Sequence, residues 1–211
     1  ALAKTLVRLE TPLCFLNIGG GSNLTFIDGD DLLAFDIGPG NALLDDWGRR
    51  HGAGDFDAGG AIAAKGRADE ARLMEALKHP FLNEPGPKSL DRYSFSAGFV
   101  DGMGLEDGAA TLLTFTADVI AKAEGLLPRP PRLWLVCGGG RLNPVLMQSL
   151  RDRLSGDVVS ADDFKIDGDA LEAQAMAFLG GRLKAGLPTT FPETTAASQP
   201  VVGGRVYLPC R

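Results

Sequence analysis

Short apolar runs broken by glycine and aspartate open the chain. Leu13 to Ile18 runs into Gly19-Gly20-Gly21, Leu24 to Ile27 into Asp28-Gly29-Asp30, and Leu32 to Phe35 into Asp36 and Gly38-Pro39-Gly40. Runs of this length between turn residues predict strands, here an antiparallel three-strand meander, and Asp28-Gly29 is a hairpin signal. The period then changes. From Asn41, a favoured N-cap, Ala42, Leu43, Leu44 and Trp47 recur on one helical face as far as His51-Gly52. Gly52 to Gly60 reads as loop, Ala68 to Lys78 as a second amphipathic helix stopped by Pro80, Pro85, Gly86 and Pro87, and Gly108 to Leu127 as a long helix. Leu133 to Val136 is the continuous apolar run of a strand covered on both faces. It ends at Gly138-Gly139-Gly140 and is followed by a helix from Asn143-Pro144 to Leu154, with proline in the first turn where its missing N–H costs nothing. Val158-Val159 predicts a last short strand, and Ala170 to Lys184 a last helix, alanine-rich on a side expected to pack closely. Beyond Leu187 the chain reads as irregular, with edge-strand candidates at Val201-Val202 and Arg205 to Tyr207.

The order β-β-β-α, an interrupted helical stretch over 52–107, then α-β-α-β-α predicts an α/β protein of ribonuclease-H-like layout, with the meander extended by parallel strands and helices on both faces. With 211 residues, one lobe of this kind can bury a core without staples.

Composition narrows the function. Hydrophobic residues make up 45% and charged residues 23%, an ordinary globular balance. The net charge of −6 argues against nucleic acid, which needs a basic face, and against a polybasic membrane patch. No apolar run approaches the roughly 18 residues of a membrane span. The three cysteines, Cys14, Cys137 and Cys210, lack CxxC spacing and predict reduced thiols, Cys14 and Cys137 within apolar strands, hence a cytoplasmic setting. The two histidines, His51 and His79, lie in polar surroundings expected to be solvated and give no metal-ligand spacing. Gly19 to Leu24 fails G-x-G-x-x-G at Leu24, the stretch from Gly138 fails it at Asn143, and no P-loop pattern occurs.

Glycine stands out, at 28 residues. Three glycine runs, each at a strand end of one candidate sheet, offer backbone N–H groups suited to phosphate oxygens. Asp36 closes an apolar strand against Gly38-Pro39-Gly40, where a carboxylate can act as general base. The structural alternative for Asp36 is a helix cap, but Asn41 is better placed for that. Glu172 lies early in the last helix, where an acid also serves to offset the helix dipole.

Taken together these residues resemble a family. Leu16-Asn17-Ile18-Gly19-Gly20 with Asn23-Leu24-Thr25, Phe35-Asp36 with Gly38-Pro39-Gly40-Asn41-Ala42, Pro87-Lys88-Ser89, Gly138-Gly139-Gly140 with Asn143-Pro144 and Leu146-Met147, and Glu172-Ala173 with Ala175, Ala177 and Leu179 look like anhydro-N-acetylmuramic acid kinase, in order along nearly the whole chain. Gly186-Leu187-Pro188 and the stretch from Thr195 to Gly204 extend the similarity. The resemblance implies a lobe of the sugar kinase, actin and chaperone ATPase superfamily. Its implied reaction takes 1,6-anhydro-N-acetylmuramic acid, ATP and water to N-acetylmuramic acid 6-phosphate and ADP in cell-wall recycling. It implies Gly19, Gly20 and Asn23 in a phosphate loop and Gly138, Gly139, Gly140 and Asn143 in the adenosine loop. Asp36 is the implied catalytic aspartate and Glu172 a sugar-binding acid. ATP and Mg²⁺ are the implied cofactors, with the magnesium ligands not assigned. This sequence departs from the family at Ile37, where threonine is usual, at Gly21-Ser22, and at Leu90-Asp91-Arg92. The family's first lobe, with its Gly-Thr-Ser phosphate loop, is not found here. The chain is therefore expected to be the second lobe and not to turn over alone. The expected partners are an amino sugar and that first lobe, with a homodimer left open. Two other readings stay open at this stage: a non-catalytic actin-like nucleotide-binding or assembly module, and an α/β domain whose glycines serve only turns. A kinase needs Asp36 and Glu172 to face one sugar-sized cleft; an assembly module needs neither.

Overall fold

The computed structural model describes residues 10–91 and 94–207. One sheet organises it, in the order β3-β2-β1-β4-β5. Strand β1 (Leu13–Ile18) pairs antiparallel with β2 (Gly21–Asp28), and β2 antiparallel with β3 (Asp31–Pro39). Strands β4 (Leu133–Cys137) and β5 (Asp157–Ser160) add in parallel on the other side of β1. This is the ribonuclease-H-like arrangement. The turn between β2 and β3 holds Gly29-Asp30, with Gly29 at φ 55°, a left-handed conformation that glycine adopts without strain.

Alternation along β1 assigns its two faces. Cys14, Leu16 and Ile18 join Leu24, Phe26, Phe35, Ile37, Trp134, Val136 and Val158 in the main core. That core is closed by α1 (Ala42–Arg50), α2 (Glu70–Ala76), α3 (Leu105–Glu124) and α4 (Pro144–Arg151). On the opposite face Leu13, Phe15, Ile27, Leu135 and Cys137 pack under Ala161, Ile166 and Leu171. The second layer is thus thin: a 3-10 turn at Ala161–Phe164 and the head of α5 (Leu171–Lys184). The close packing expected of α5 does not occur. None of its 14 residues is buried, and Met176 is 69% exposed.

Several boundaries differ from expectation for identifiable reasons. Helix α3 starts at Leu105, not Gly108, because Gly108 is an interior packing position. A Cβ there would lie 2.3 Å from the Trp47 ring, whose Nε1 donates to the Leu105 carbonyl at 2.9 Å. Helix α2 is two residues shorter at each end than its apolar pattern; Asp69 caps it by accepting from Ala71 and Arg72 N–H. Asn41 occupies the N-cap position of α1 but makes no side-chain cap. Its Nδ2 donates to the Ile18 carbonyl at 3.4 Å, while its N–H and that of Ala42 go to the Gly19 and Gly20 carbonyls. The stretch between α1 and α3 carries α2 and short 3-10 turns. Toward the C-terminal end an isolated Thr190–Val201 bridge brackets the single turn α6 (Pro192–Thr195), and Arg205 to Tyr207 is not strand. His79 is only partly solvated: its ring lies 4.3 Å from that of Phe95, and its buried Nδ1 has no hydrogen-bond partner among the described residues. Cys14 and Cys137 are buried free thiols, as expected, and Cys210 lies outside the described residues.

Candidate functional site

Strands β1, β3 and β4 run the same way, so their glycine-terminated ends meet at one edge. There the chain builds a cleft of about 420 Å³. Gly19, Gly20, Gly21, Asn23, Asp36, Leu90, Phe95 and Glu172 are among its lining residues. A second cleft of about 410 Å³ shares Asn17, Gly19, Asn23 and Glu172 with the first and adds Gly138, Gly139 and Asp169. The expected site residues Gly19, Gly20, Asn23, Asp36, Gly138, Gly139 and Glu172 are thereby brought together. Gly140 lies outside both clefts, buried against Ile18. Asn143 is also turned to structure. Its Oδ1 accepts from Val145 and Leu146 N–H and caps α4, while the residue borders a third cavity with Asn41, Phe56, Gly139 and Leu142.

Local irregularity aims Asp36. Ser22 pairs with Gly38 but Asn23 pairs with Asp36, so Ile37 is the extra residue of a β-bulge. Ile37 turns into the core, 1% exposed, and Asp36 lines the cleft opposite Asn23. An isoleucine suits that buried position, where its side chain packs in the main core and does not line the cleft. The Asp36 carboxylate is held from the side by Leu90, whose N–H donates to Oδ2 at 2.7 Å, and the Asp36 N–H donates to the Lys88 carbonyl at 3.0 Å. The bulge is braced by the Ser22 hydroxyl, 3.2 Å from both the Gly38 and Pro39 carbonyls, and by Thr116, which donates to the Gly40 carbonyl at 3.1 Å.

The glycines divide into two kinds. Gly40 has no space for a side chain, since a Cβ would stand 2.4 Å from the Gly19 oxygen and 2.7 Å from the Gly21 oxygen. Gly138 has φ 73° and would collide with Asn17 and Ile18. By contrast Gly19, Gly20 and Gly139 avoid left-handed φ, and a Cβ on them would meet nothing closer than 3.9, 3.6 and 3.8 Å. The folded chain itself does not require glycine at those three positions, and all three lie on the clefts.

Among the described residues, the charged ones lining the two clefts are acids: Asp36, Asp169 and Glu172. A nearby cation, Arg141, is already engaged. Arg141, its side chain 5% exposed, donates to the Gly138 carbonyl at 3.0 Å, to Asp162 Oδ2 at 2.8 Å, and to both Asp169 oxygens at 2.8 and 3.0 Å. The hydrogen bonds to Asp169 and Asp162 raise the guanidinium's own pKa, and the same bonds hold both carboxyls below their ordinary value. Gly168 leaves the space for it, as a Cβ there would lie 2.5 Å from Arg141 Nε. Arg141 so ties the Gly138 turn to the residues that lead into α5 and Glu172. Sequence reasoning missed Arg141, Asn17 and the bracing by Lys88 and Leu90. Asn17 and Lys88 stood inside quoted motifs, but nothing in their spacing says what they touch.

Among the described residues no group of three or more His, Cys, Asp or Glu is placed to hold a metal ion, and no helix is long and apolar enough to cross a membrane.

Residues 3–209 match the family model described as anhydro-N-acetylmuramic acid kinase. A protein of that name from Rhodospirillum rubrum is 51% identical over 209 residues, which cover 98% of this chain and 55% of the relative. Another from Mesorhizobium japonicum is 48% identical over 192 residues, covering 90% of this chain and 52% of the relative. The chain spans about half the length of the curated relatives it matches. Among solved structures, an activator of 2-hydroxyisocaproyl-CoA dehydratase from Clostridium difficile with bound ADPNP aligns at 13% identity and TM-score 0.45 over 72% of this chain and 55% of that one. That likeness carries no weight here, and the fold rests on the sheet order. A family model matched over nearly the whole length settles the membership: the chain belongs to the anhydro-N-acetylmuramic acid kinase family.

Proposed function

We propose that the chain is one lobe of a cytoplasmic ATP-dependent kinase that converts 1,6-anhydro-N-acetylmuramic acid and water to N-acetylmuramic acid 6-phosphate. The observation that carries this reading is that Asp36 and Glu172 line the same cleft as the Gly19–Gly20 turn. An assembly module has no use for two carboxylates in a sugar-sized space. The open glycines 19, 20 and 139 let phosphate oxygens come up to the backbone. The exposed Phe56 and Leu142 side chains, in the third cavity beside Gly139, offer apolar surface to the base.

Asp36 takes the proton from a water molecule, and the water oxygen attacks the anomeric carbon. The bond from that carbon to the bridging 6-oxygen breaks. The freed 6-oxygen attacks the γ-phosphorus, and ADP leaves with the electron pair of the broken phosphoanhydride bond. Glu172 binds sugar hydroxyls from the α5 side.

Mg²⁺ would accompany ATP and neutralise phosphate charge; the described residues assign no ligand for it, Asp36 and Glu172 being taken for the water and the sugar. Phosphoryl transfer also needs positive charge; in this reading the rest of the kinase, of which the chain spans about half, supplies it, so the chain by itself is expected not to turn over.

The test is Asp36→Asn in the full gene product. A positioned general base contributes about 10²–10⁴-fold, so kcat should fall by at least about 100-fold with ATP affinity retained. A near-normal rate refutes the assignment.

A further inference from the structure

The motif Pro87-Lys88-Ser89 contributes no side chain to either cleft, yet it runs beside the end of β3. Lys88 turns away from the cleft. Its Nζ donates to the Phe81 carbonyl at 2.7 Å and stands 4.3 Å from the Phe81 ring centroid and 5.7 Å from that of Phe35. An ammonium over an aromatic face with a charge-assisted bond to a carbonyl is a strong anchor for a loop. The preceding Gly86 lies flat on Phe35, where a Cβ would be 2.3 Å from the ring. The anchored residue and the one two positions on hold Asp36: the Lys88 carbonyl accepts the Asp36 N–H, and the Leu90 N–H donates to Oδ2. Held in this way, Asp36 lines the cleft.

We infer that Lys88 is a positioning residue for Asp36. Its ammonium pins the 86–90 segment to the Phe81 turn, and that segment fixes the orientation of the carboxylate at the cleft. This rests on the proposed role of Asp36. Without the anchor the segment relaxes, the Leu90 N–H leaves Oδ2, and the carboxylate gains freedom to rotate. A displacement near 1 Å at a reacting group can cost about 10²-fold in rate. Nucleotide binding is untouched, because the Gly19–Gly20 and Gly138–Gly139 turns are held by other bonds.

The experiment compares Lys88→Met, Lys88→Arg, Asp36→Asn and Lys88→Met/Asp36→Asn in the full gene product, measuring kcat, KM for ATP and melting temperature. Lys88→Met should lower kcat about 10- to 100-fold with KM for ATP within about threefold. Lys88→Arg, which can still donate to the Phe81 carbonyl and stack on its ring, should recover most of that loss. In the Asp36→Asn background Lys88→Met should have little further effect, since two residues acting as one unit are non-additive. Should Lys88→Met fail to fold, Lys88→Gln, a shorter donor, is held to the same criteria. The inference is overturned if kcat is unchanged, if KM for ATP rises in step with the loss of kcat, or if the two substitutions multiply. If Asp36→Asn itself keeps a near-normal rate, the base assignment fails first and Lys88 loses its role with it. An inactive Asp36→Asn beside a fully active Lys88→Met refutes the positioning role alone.

Discussion

Alanine at Gly20 and alanine at Gly40 should behave in opposite ways, although the two glycines lie on touching turns. At Gly40 the new Cβ meets two backbone oxygens at 2.4 and 2.7 Å. Neither can rotate aside, because the Gly19 carbonyl also accepts the Asn41 N–H and the Gly21 carbonyl accepts the Gly19 N–H. Overpacking typically costs about 1–3 kcal/mol, and two rigid contacts put this one near the upper end. For a domain of this size each kcal/mol is about 2–4 °C, so Gly40→Ala should lower the melting temperature by about 6–12 °C. At Gly20 the nearest atom is the Ala42 Cβ at 3.6 Å, an ordinary contact. Restricting the unfolded chain then contributes about 0.4–1 kcal/mol in favour of folding, and the melting temperature should hold or rise slightly. The loss at Gly20 appears only with ligand. Ligand at 100 times its Kd stabilises by about 2.7 kcal/mol, and Gly20→Ala should forfeit most of that shift because a methyl group stands where phosphate approaches. Differential scanning fluorimetry of the full gene product, with and without ATP and Mg²⁺, reads both effects. An undiminished nucleotide shift in Gly20→Ala, or a melting temperature as low as that of Gly40→Ala, refutes the division of the glycines.

Replacing Arg141 by methionine should flatten the acid side of the stability profile. Asp162 and Asp169 have folded pKa values below their unfolded ones, so the stability they lend is complete above the unfolded value of about 3.9 and is lost as pH falls below it. Urea midpoints of the parent should therefore drop more between pH 5 and pH 3 than those of the variant, and equal drops would rule the clamp out as the cause. Burial raises the thiol of Cys14 well above its ordinary value and pushes that of Cys137 up to about 11. Alkylation of these two at pH 8 should proceed only as fast as the protein opens, whereas rapid labelling of either in native buffer would contradict their placement.

Much of this fold could be read from the chain. The meander and the parallel extension follow from where apolar runs stop at glycine, and the bond-making edge follows from three such stops on strands of one direction. What the pattern hid were partners distant in sequence. Gly108 reads as a helix boundary until Trp47 is found lying on it. Asn41 has the composition of a cap, but carbonyls from the preceding turn satisfy the helix start instead. Lys88 and Leu90 reach Asp36 across more than fifty positions, and Arg141 reaches Asp169, with no periodicity to announce either contact. His79 reads as surface because it sits at a helix end before proline, while its neighbour in space, Phe95, lies 16 positions on. Alanine in α5 suggested tight packing, yet alanine also simply favours helix, and there it covers nothing.

That bare helix has a consequence for how the site responds to thermal agitation. The floor beneath the reacting groups belongs to the sheet, which opens only when the whole core does. Glu172 instead rides on a segment of 14 residues with no buried side chain, fastened near its start by the Arg141 bonds and near its end by Arg182, whose guanidinium sits between the Phe178 and Phe191 rings and donates to the Pro188 carbonyl. Helices of that length are marginal in water on their own. Amide exchange over 172–184 should accordingly be uncoupled from exchange in β1 and β4, so that one side of the cleft melts and re-forms while the other keeps its shape.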